Sequence, residues 1–138
     1  MPFTVALIDE AGYGRLDAGR ATELCAAAFS CRGFDVERMG EVSVALVEPH
    51  IIRELNLKFR GINEPTDVLS FVLDGPYGEM VGEVVVCPAC KSPQMDVEEL
   101  VAHGALHLSG MVHGEPFEGS EMARMQEAVM GAVRGAQG

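Results

Sequence analysis

Three of the chain's four histidines, His103, His107 and His113, fall within one eleven-residue stretch. His103 and His107 are four apart, a spacing that stacks two side chains on one face of an α-helix, one turn above the other. Gly110 follows, where a helix commonly ends in the left-handed conformation that glycine adopts most cheaply. The chain can then turn back and bring His113 to the same point from outside the helix. Three imidazole nitrogens, at Zn–N distances of about 2.0–2.1 Å, leave the fourth tetrahedral position to water, the layout of a catalytic zinc site rather than a closed structural one. One Zn2+ held by His103, His107 and His113 plus a water is therefore the expected cofactor. Nickel or copper would also accept three imidazoles, and zinc is preferred on availability and geometry.

The spacing matches the metzincin protease pattern H-E-x-x-H-x-x-G-x-x-H in its ligands and its glycine. It departs at one position, because Gly104 stands where those enzymes carry their glutamate base. The metal cage is kept and the protease chemistry is not. A water on such an ion has a pKa of about 7, and the hydroxide it yields can attack a carbonyl or a phosphate. On phosphate, the developing charge calls for a fixed cation, and the arginine fork pairs with two oxygens at once. Arg60 is the leading candidate for that catalytic role, since Arg53, Lys58 and Arg60 against Glu54 make the one locally basic segment.

These residues must be positioned by a small body. With 138 residues, 48% of them hydrophobic, the chain has enough apolar material for one domain spanning 1–138. It has no long apolar run and no basic-then-apolar leader, so a soluble, cytoplasmic protein with no membrane partner is expected. Its four cysteines are too few and too irregular for a disulfide framework. Cys87-Pro88-Ala89-Cys90 is a C-x-x-C, but Pro93 arrives where a thioredoxin-like pair needs a helix, and Cys25 and Cys31 do not supply the second half of a zinc ribbon. Packed or loop thiols are expected there, and buried ones at Cys25 and Cys31. The net charge of −11 argues against bulk nucleic-acid binding, and no DNA partner is expected. The basic strip at 53–60 is nonetheless compatible with an RNA contact.

Residues 3–8 read as a first strand and Leu16 to Phe29 as a helix. Val42 to Val47 alternate as a second strand. Pro49 then suits the first turn of a helix running through Ile51, Ile52 and Leu55 toward Lys58, with His50 solvated in its first turn. Arg60 to Pro65 read as a loop. Thr66 to Leu73 form a third strand, Val68, Ser70 and Val72 on one face and Leu69, Phe71 and Leu73 on the other. A turn at 74–78 leads to a fourth strand, Gly82 to Cys87, so the third and fourth pair antiparallel. Asp96 and Glu99 make a capping box that opens the histidine helix, with Val97, Leu100, Val101, Ala105 and Leu108 on its core side. Met122, Met125, Val129 and Val133 stripe a last helix, and residues 135–138 should fray. The expected fold is α+β: a mostly four-stranded mixed sheet packed with helices, zincin-like, its central helix carrying the histidines. Strand order does not follow from these patterns.

Leu55-Asn56-x-x-Phe59-Arg60, Pro65-Thr66-Asp67-Val68-Leu69-Ser70-Phe71, Gly82-Glu83 and His103-Gly104-Ala105-Leu106-His107-Leu108-x-Gly110-x-x-His113 together resemble the YbeY family over about residues 40–130. The resemblance implies a zinc-dependent endoribonuclease specific for single-stranded RNA, acting in maturation of the small-subunit (16S) rRNA 3′ end and in ribosome quality control. It implies three metal ligands at His103, His107 and His113, an arginine needed for activity at Arg60, and small-subunit rRNA, the small ribosomal subunit or a ribosomal protein as partners. The chain departs from the family in having Glu83 for an aspartate, Val112 for an aspartate before the last histidine, and a shorter stretch between Cys90 and Asp96. A ribosome-associated assembly factor whose metal site turns over little is the alternative, its acidic body suited to a basic ribosomal protein. A metzincin-like peptidase without its glutamate base is a third reading.

Overall fold

The computed structural model describes residues 3–36, 40–74 and 80–135. Its elements are β1 (Val5–Ile8), α1 (Ala18–Cys31), β2 (Val42–Leu46), α2 (Pro49–Arg60), β3 (Val68–Asp74), β4 (Met80–Val86), a short 3-10 turn (Pro88–Cys90), α3 (Val97–Leu108) and α4 (Glu121–Gly135). The strands form one mixed sheet in the order β1-β2-β4-β3. β1 pairs parallel to β2 and β2 parallel to β4, while β3 and β4 pair antiparallel with Ser70 opposite Val84 and Phe71 opposite Glu83. The α+β class, the four strands and the β3–β4 pairing are as expected from the sequence. The turn expected at 74–78 lies largely outside the described residues, as do 136–138.

Period-two alternation divides the sheet between two apolar layers. Val42, Val44, Leu46, Val84 and Val86 face α1, α3 and α4, and they form one core with Leu24, Phe29, Leu100, Leu106, Met122 and Val129. Leu69, Val85 and Cys87 face the other way and pack with Ile52 of α2, flanked by Leu55 and Phe71. α3 is central, touching α1 and α4 on one side and β3 and β4 on the other. Nine of its twelve residues are buried.

α3 lies close against the sheet because residue 104 has no side chain. A Cβ there would stand 2.5 Å from Val84 Cγ1 and 3.1 Å from Ser70 Oγ, over the Ser70–Val84 strand pair. Ser70 Oγ donates to the Gly104 carbonyl oxygen at 2.8 Å, fastening helix to strand. Position 104 therefore faces the sheet, and a side chain there would run into Val84, Ser70 and Val68.

The helix ends follow their caps. Asp17 accepts from the Arg20 amide at 2.7 Å. Asp96 and Glu99 close the reciprocal box that opens α3. Partial burial pushes the Asp96 carboxyl up, but the Glu99 amide and the Arg134 guanidinium outweigh this and hold it below the usual carboxylate range. α2 extends to Arg60, two residues past the expected end, because Gly61 takes the left-handed cap (φ 72°). Cys25 is buried, whereas Cys31, expected to be buried, is exposed on the last turn of α1. The Cys87 and Cys90 sulfurs lie 2.9 Å apart, with Cys87 in the α2-side core. His50 is solvated beside Glu48.

Two outcomes in denaturant unfolding check this packing. Gly104→Ala improves helix propensity by about 1 kcal/mol, yet it should destabilise by roughly 1–3 kcal/mol because stiff, buried Val84 has nowhere to go. Asp96→Ala should cost about 1 kcal/mol at neutral pH. A depressed folded-state pKa stabilises above the unfolded value and is lost as pH falls, so the gap between Asp96→Ala and the unaltered protein should close on acidification.

Candidate metal centre

His103 and His107 project from α3 into a cleft that β3 residues Val68, Leu69 and Ser70 also line. Met111 folds back onto the helix end, its amide donating to the Leu106 carbonyl, and Gly110 makes the turn at φ 100°. This return brings His113 alongside: the ring centroids lie 4.7 Å (103–107), 5.2 Å (103–113) and 5.4 Å (107–113) apart. One ring nitrogen from each of the three lies within 4.8 Å of the others, so His103, His107 and His113 make a group able to hold a metal ion.

The other ring nitrogens are tied down. His107 Nδ1 donates to the Met111 carbonyl at 2.9 Å and His113 Nδ1 to the Gly114 carbonyl at 2.9 Å. His103 Nδ1 stands 2.9 Å from Gln126 Oε1, whose amide nitrogen points instead at the Met95 sulfur. With Nδ1 donating, each Nε2 carries a bare lone pair. The Nε2 atoms of His103 and His107 face each other at 3.1 Å. Two lone pairs at that distance repel, and a cation between them turns the contact attractive, so the donor set fits a nitrogen-loving divalent metal. Burial is the chief force holding His103 to a pKa of about 4, with His107 and His113 adding to it against Gln126 and Asp67. Burial also lowers His107, helped by His113 and the charge of Arg60. Both shifts favour the neutral imidazole, the form that can ligate a metal.

The cluster opens into a cleft of about 700 Å³ whose lining also includes Arg60, Thr66, Asp67, Ser70, Met95 and Phe117. Phe117 sets its ring edge-on to His103 and His113, at 5.0 and 4.9 Å. Arg60 comes from the last residue of α2 rather than from the following loop, and it shares this cleft with the histidines. The loop joining it to β3 is held by Asn56, whose buried side-chain amide nitrogen donates to the Glu64 carbonyl at 2.9 Å while its backbone carbonyl accepts from the Ile62 amide. Among the described residues, Arg60 makes no ion pair. Asp67 and Glu115 are the cleft's carboxylates. Glu83 lies on β4 outside the cleft, and Val112 is exposed.

Gln126 is the residue that spacing did not reveal. It is buried in α4, between Met122 and Val129 of the apolar stripe. A polar residue at a core position of an otherwise apolar face is the signal that could have found it, because a buried amide needs a partner.

Comparison with known proteins agrees with this architecture. Residues 16–134 match the family described as Endoribonuclease YbeY. A protein of that name from Rubrobacter xylanophilus is 67% identical over 136 residues, covering 98% of this chain and 99% of the relative. Another, from Frankia casuarinae, is 34% identical, covering 96% of this chain and 75% of the relative. A solution structure of a Thermotoga maritima protein superposes with a TM-score of 0.54 at 26% identity, covering 96% of this chain and 91% of that one.

Carbonyl anchoring of a ligand ring is worth tenfold to a hundredfold in metal affinity at other sites. Gln126→Leu should therefore weaken zinc binding by about that factor in competition with a chromophoric chelator. An unchanged affinity would remove Gln126 from the site's support.

Proposed function

The chain belongs to the endoribonuclease YbeY family, and on that premise we propose that residues 1–138 form one domain cleaving single-stranded RNA at a zinc ion held by His103, His107 and His113. Its activity is that of a metal-dependent endoribonuclease, a hydrolase of phosphodiester bonds, and its role is in rRNA maturation. Within that role, the finer reading is processing of the small-subunit rRNA 3′ end and ribosome quality control in the cytoplasm. No described helix is long and apolar enough to cross a membrane. The small subunit or one of its basic proteins is the docking partner, a match to the net charge of −11.

The single observation that carries the reading is the convergence of three imidazoles in a cleft that Arg60 also lines. When bound there, zinc acidifies a water and offsets negative charge on a phosphoryl oxygen. The chain's own residues do the rest. Met111, Gly114 and Gln126 fix which nitrogen of each ring faces the cleft, so the ligands need no reorganisation. Arg60, without an ion-pair partner among the described residues, keeps its donors for a phosphate, and charge building on that phosphate draws it closer. The difference between these two kinds of group orients a polyanion in the cleft, phosphate toward Arg60 and reacting face toward the histidines.

The close packing at Gly104, where a Cβ would collide with Val84, argues against a base there of the kind the peptidase reading needs.

The test pairs elemental analysis with cleavage of a labelled single-stranded RNA on the same sample. One zinc per chain is expected, with cleavage lost on chelation, restored by zinc, and abolished by His107→Ala. Arg60→Ala should lower kcat by roughly 10²-fold, the scale of losing one charge-stabilising donor, while zinc content stays at one. Full cleavage by the metal-free protein would overturn the metal reading. Co-sedimentation with small subunits without cleavage of any RNA would favour the assembly factor instead.

A further inference from the structure

A second depression adjoins the cleft, and nothing in the cleavage chemistry uses it. This groove of about 630 Å³ runs between the end of α2 and β3, the edge strand of the sheet. It shares Arg60, Leu69 and Ser70 with the histidine-lined cleft, so the two adjoin at the arginine. Phe59 lines it and is 56% exposed. The ring is not loose, because it packs against Phe71 with centroids 4.9 Å apart. Lys58 Nζ stands 5.2 Å from the Phe59 ring centroid, on the edge of cation–π range.

An apolar groove alone would fit many occupants. The charge around this one narrows the choice. The chain carries a net −11, yet the aromatic platform sits between two consecutive cations, Lys58 and Arg60, and Glu83 is the only carboxylate among the described lining residues. An exposed aromatic ring held in place and flanked by cations, in a groove adjoining the proposed phosphate-cleaving site, is the combination that binds unpaired nucleotides: bases stack and phosphates pair. An extended peptide added to the β3 edge would make no use of the two cations.

We propose that this groove binds the single-stranded RNA flanking the cleaved bond, one unpaired base stacking on Phe59 while Lys58 and Arg60 hold neighbouring phosphates. The inference rests on the ribonuclease reading above and adds a stacking subsite to it. Strand specificity follows from it, because a base locked in a duplex cannot offer its face to Phe59 without unpairing.

The experiment measures Kd for a fluorescein-labelled single-stranded RNA of about 12 nucleotides by anisotropy on ice, with a gel confirming that the RNA stays intact. KM and kcat come from the same RNA at working temperature. Phe59→Leu is expected to raise Kd and KM about tenfold, the scale of losing one base–aromatic stack, with kcat within twofold. Phe59→Tyr should bind as the unaltered protein does. A scan of RNAs with one abasic nucleotide, read on the unaltered protein, should find one position whose loss costs a similar factor. Phe59→Leu should be indifferent to that position, an outcome that a merely structural role for Phe59 would not produce. Lys58→Gln should lower the magnitude of the log Kd against log salt slope by about 0.7.

Equal binding of every RNA by Phe59→Leu and the unaltered protein overturns the inference, and it hands the groove to a protein partner. Phe59-dependent binding without cleavage would leave this subsite standing and overturn the nuclease reading. Cleavage that is indifferent to Phe59 would do the reverse.

Discussion

The approach of the α3 backbone to the sheet is the constraint on which the rest depends. At Gly104 the helix lies so close to Val84 and Ser70 that a single methyl group would collide. That contact sets the height and rotation of α3, and rotation decides where the flanking histidines point. With Gly104 fixed against β3 and β4, His103 and His107, four apart and so one above the other, are held beside β3 where it lines the cleft. The same contact keeps β3, and with it Thr66 and Asp67 just before its start, in the lining of that cleft. The layout of the site is thus a consequence of packing, and glycine at 104 serves the fold where another zinc family places a base.

Electrostatics then sharpens what packing sets up. The protein is strongly acidic, and its cleft gathers three imidazoles and one guanidinium beside the carboxylates of Asp67 and Glu115. Burial favours the deprotonated form of His103 and His107, and carbonyl oxygens from the Met111–Gly114 return and from α4 hold each ring by its far nitrogen. These anchors come from two parts of the chain, the return loop and α4. Rigidity at the centre therefore reports the correct docking of α3, α4 and the return loop together, which ties the integrity of the site to that of the core.

Much of this was legible in the sequence, because the signals were local. The capping box at Asp96 and Glu99, the four-residue histidine spacing and the Gly110 stop each depend on a few adjacent residues, and the structure realises them. Alternation along Val68 to Leu73 likewise assigned the two faces of β3. What was not legible depended on distance along the chain. Nothing local places β4 beside β2 instead of β1 beside β3, since periodicity specifies faces and not neighbours. Gln126 is 23 residues from the ring it holds. Arg60 was assigned to the cleft's chemistry but to a loop, because the Gly61 cap that extends α2 by two residues was read as loop composition. Cys31 was misjudged because a cysteine's usual burial says nothing about which side of a helix's last turn meets solvent.

The central claim is that three imidazole nitrogens share one ion within this cleft. Anomalous diffraction from crystals of the zinc-loaded protein, recorded on both sides of the zinc edge, tests it most directly. The account predicts one strong peak about 2.0–2.1 Å from the Nε2 atoms of His103, His107 and His113, facing Arg60. A zinc peak elsewhere, or rings turned so that their Nε2 atoms do not meet, would contradict it.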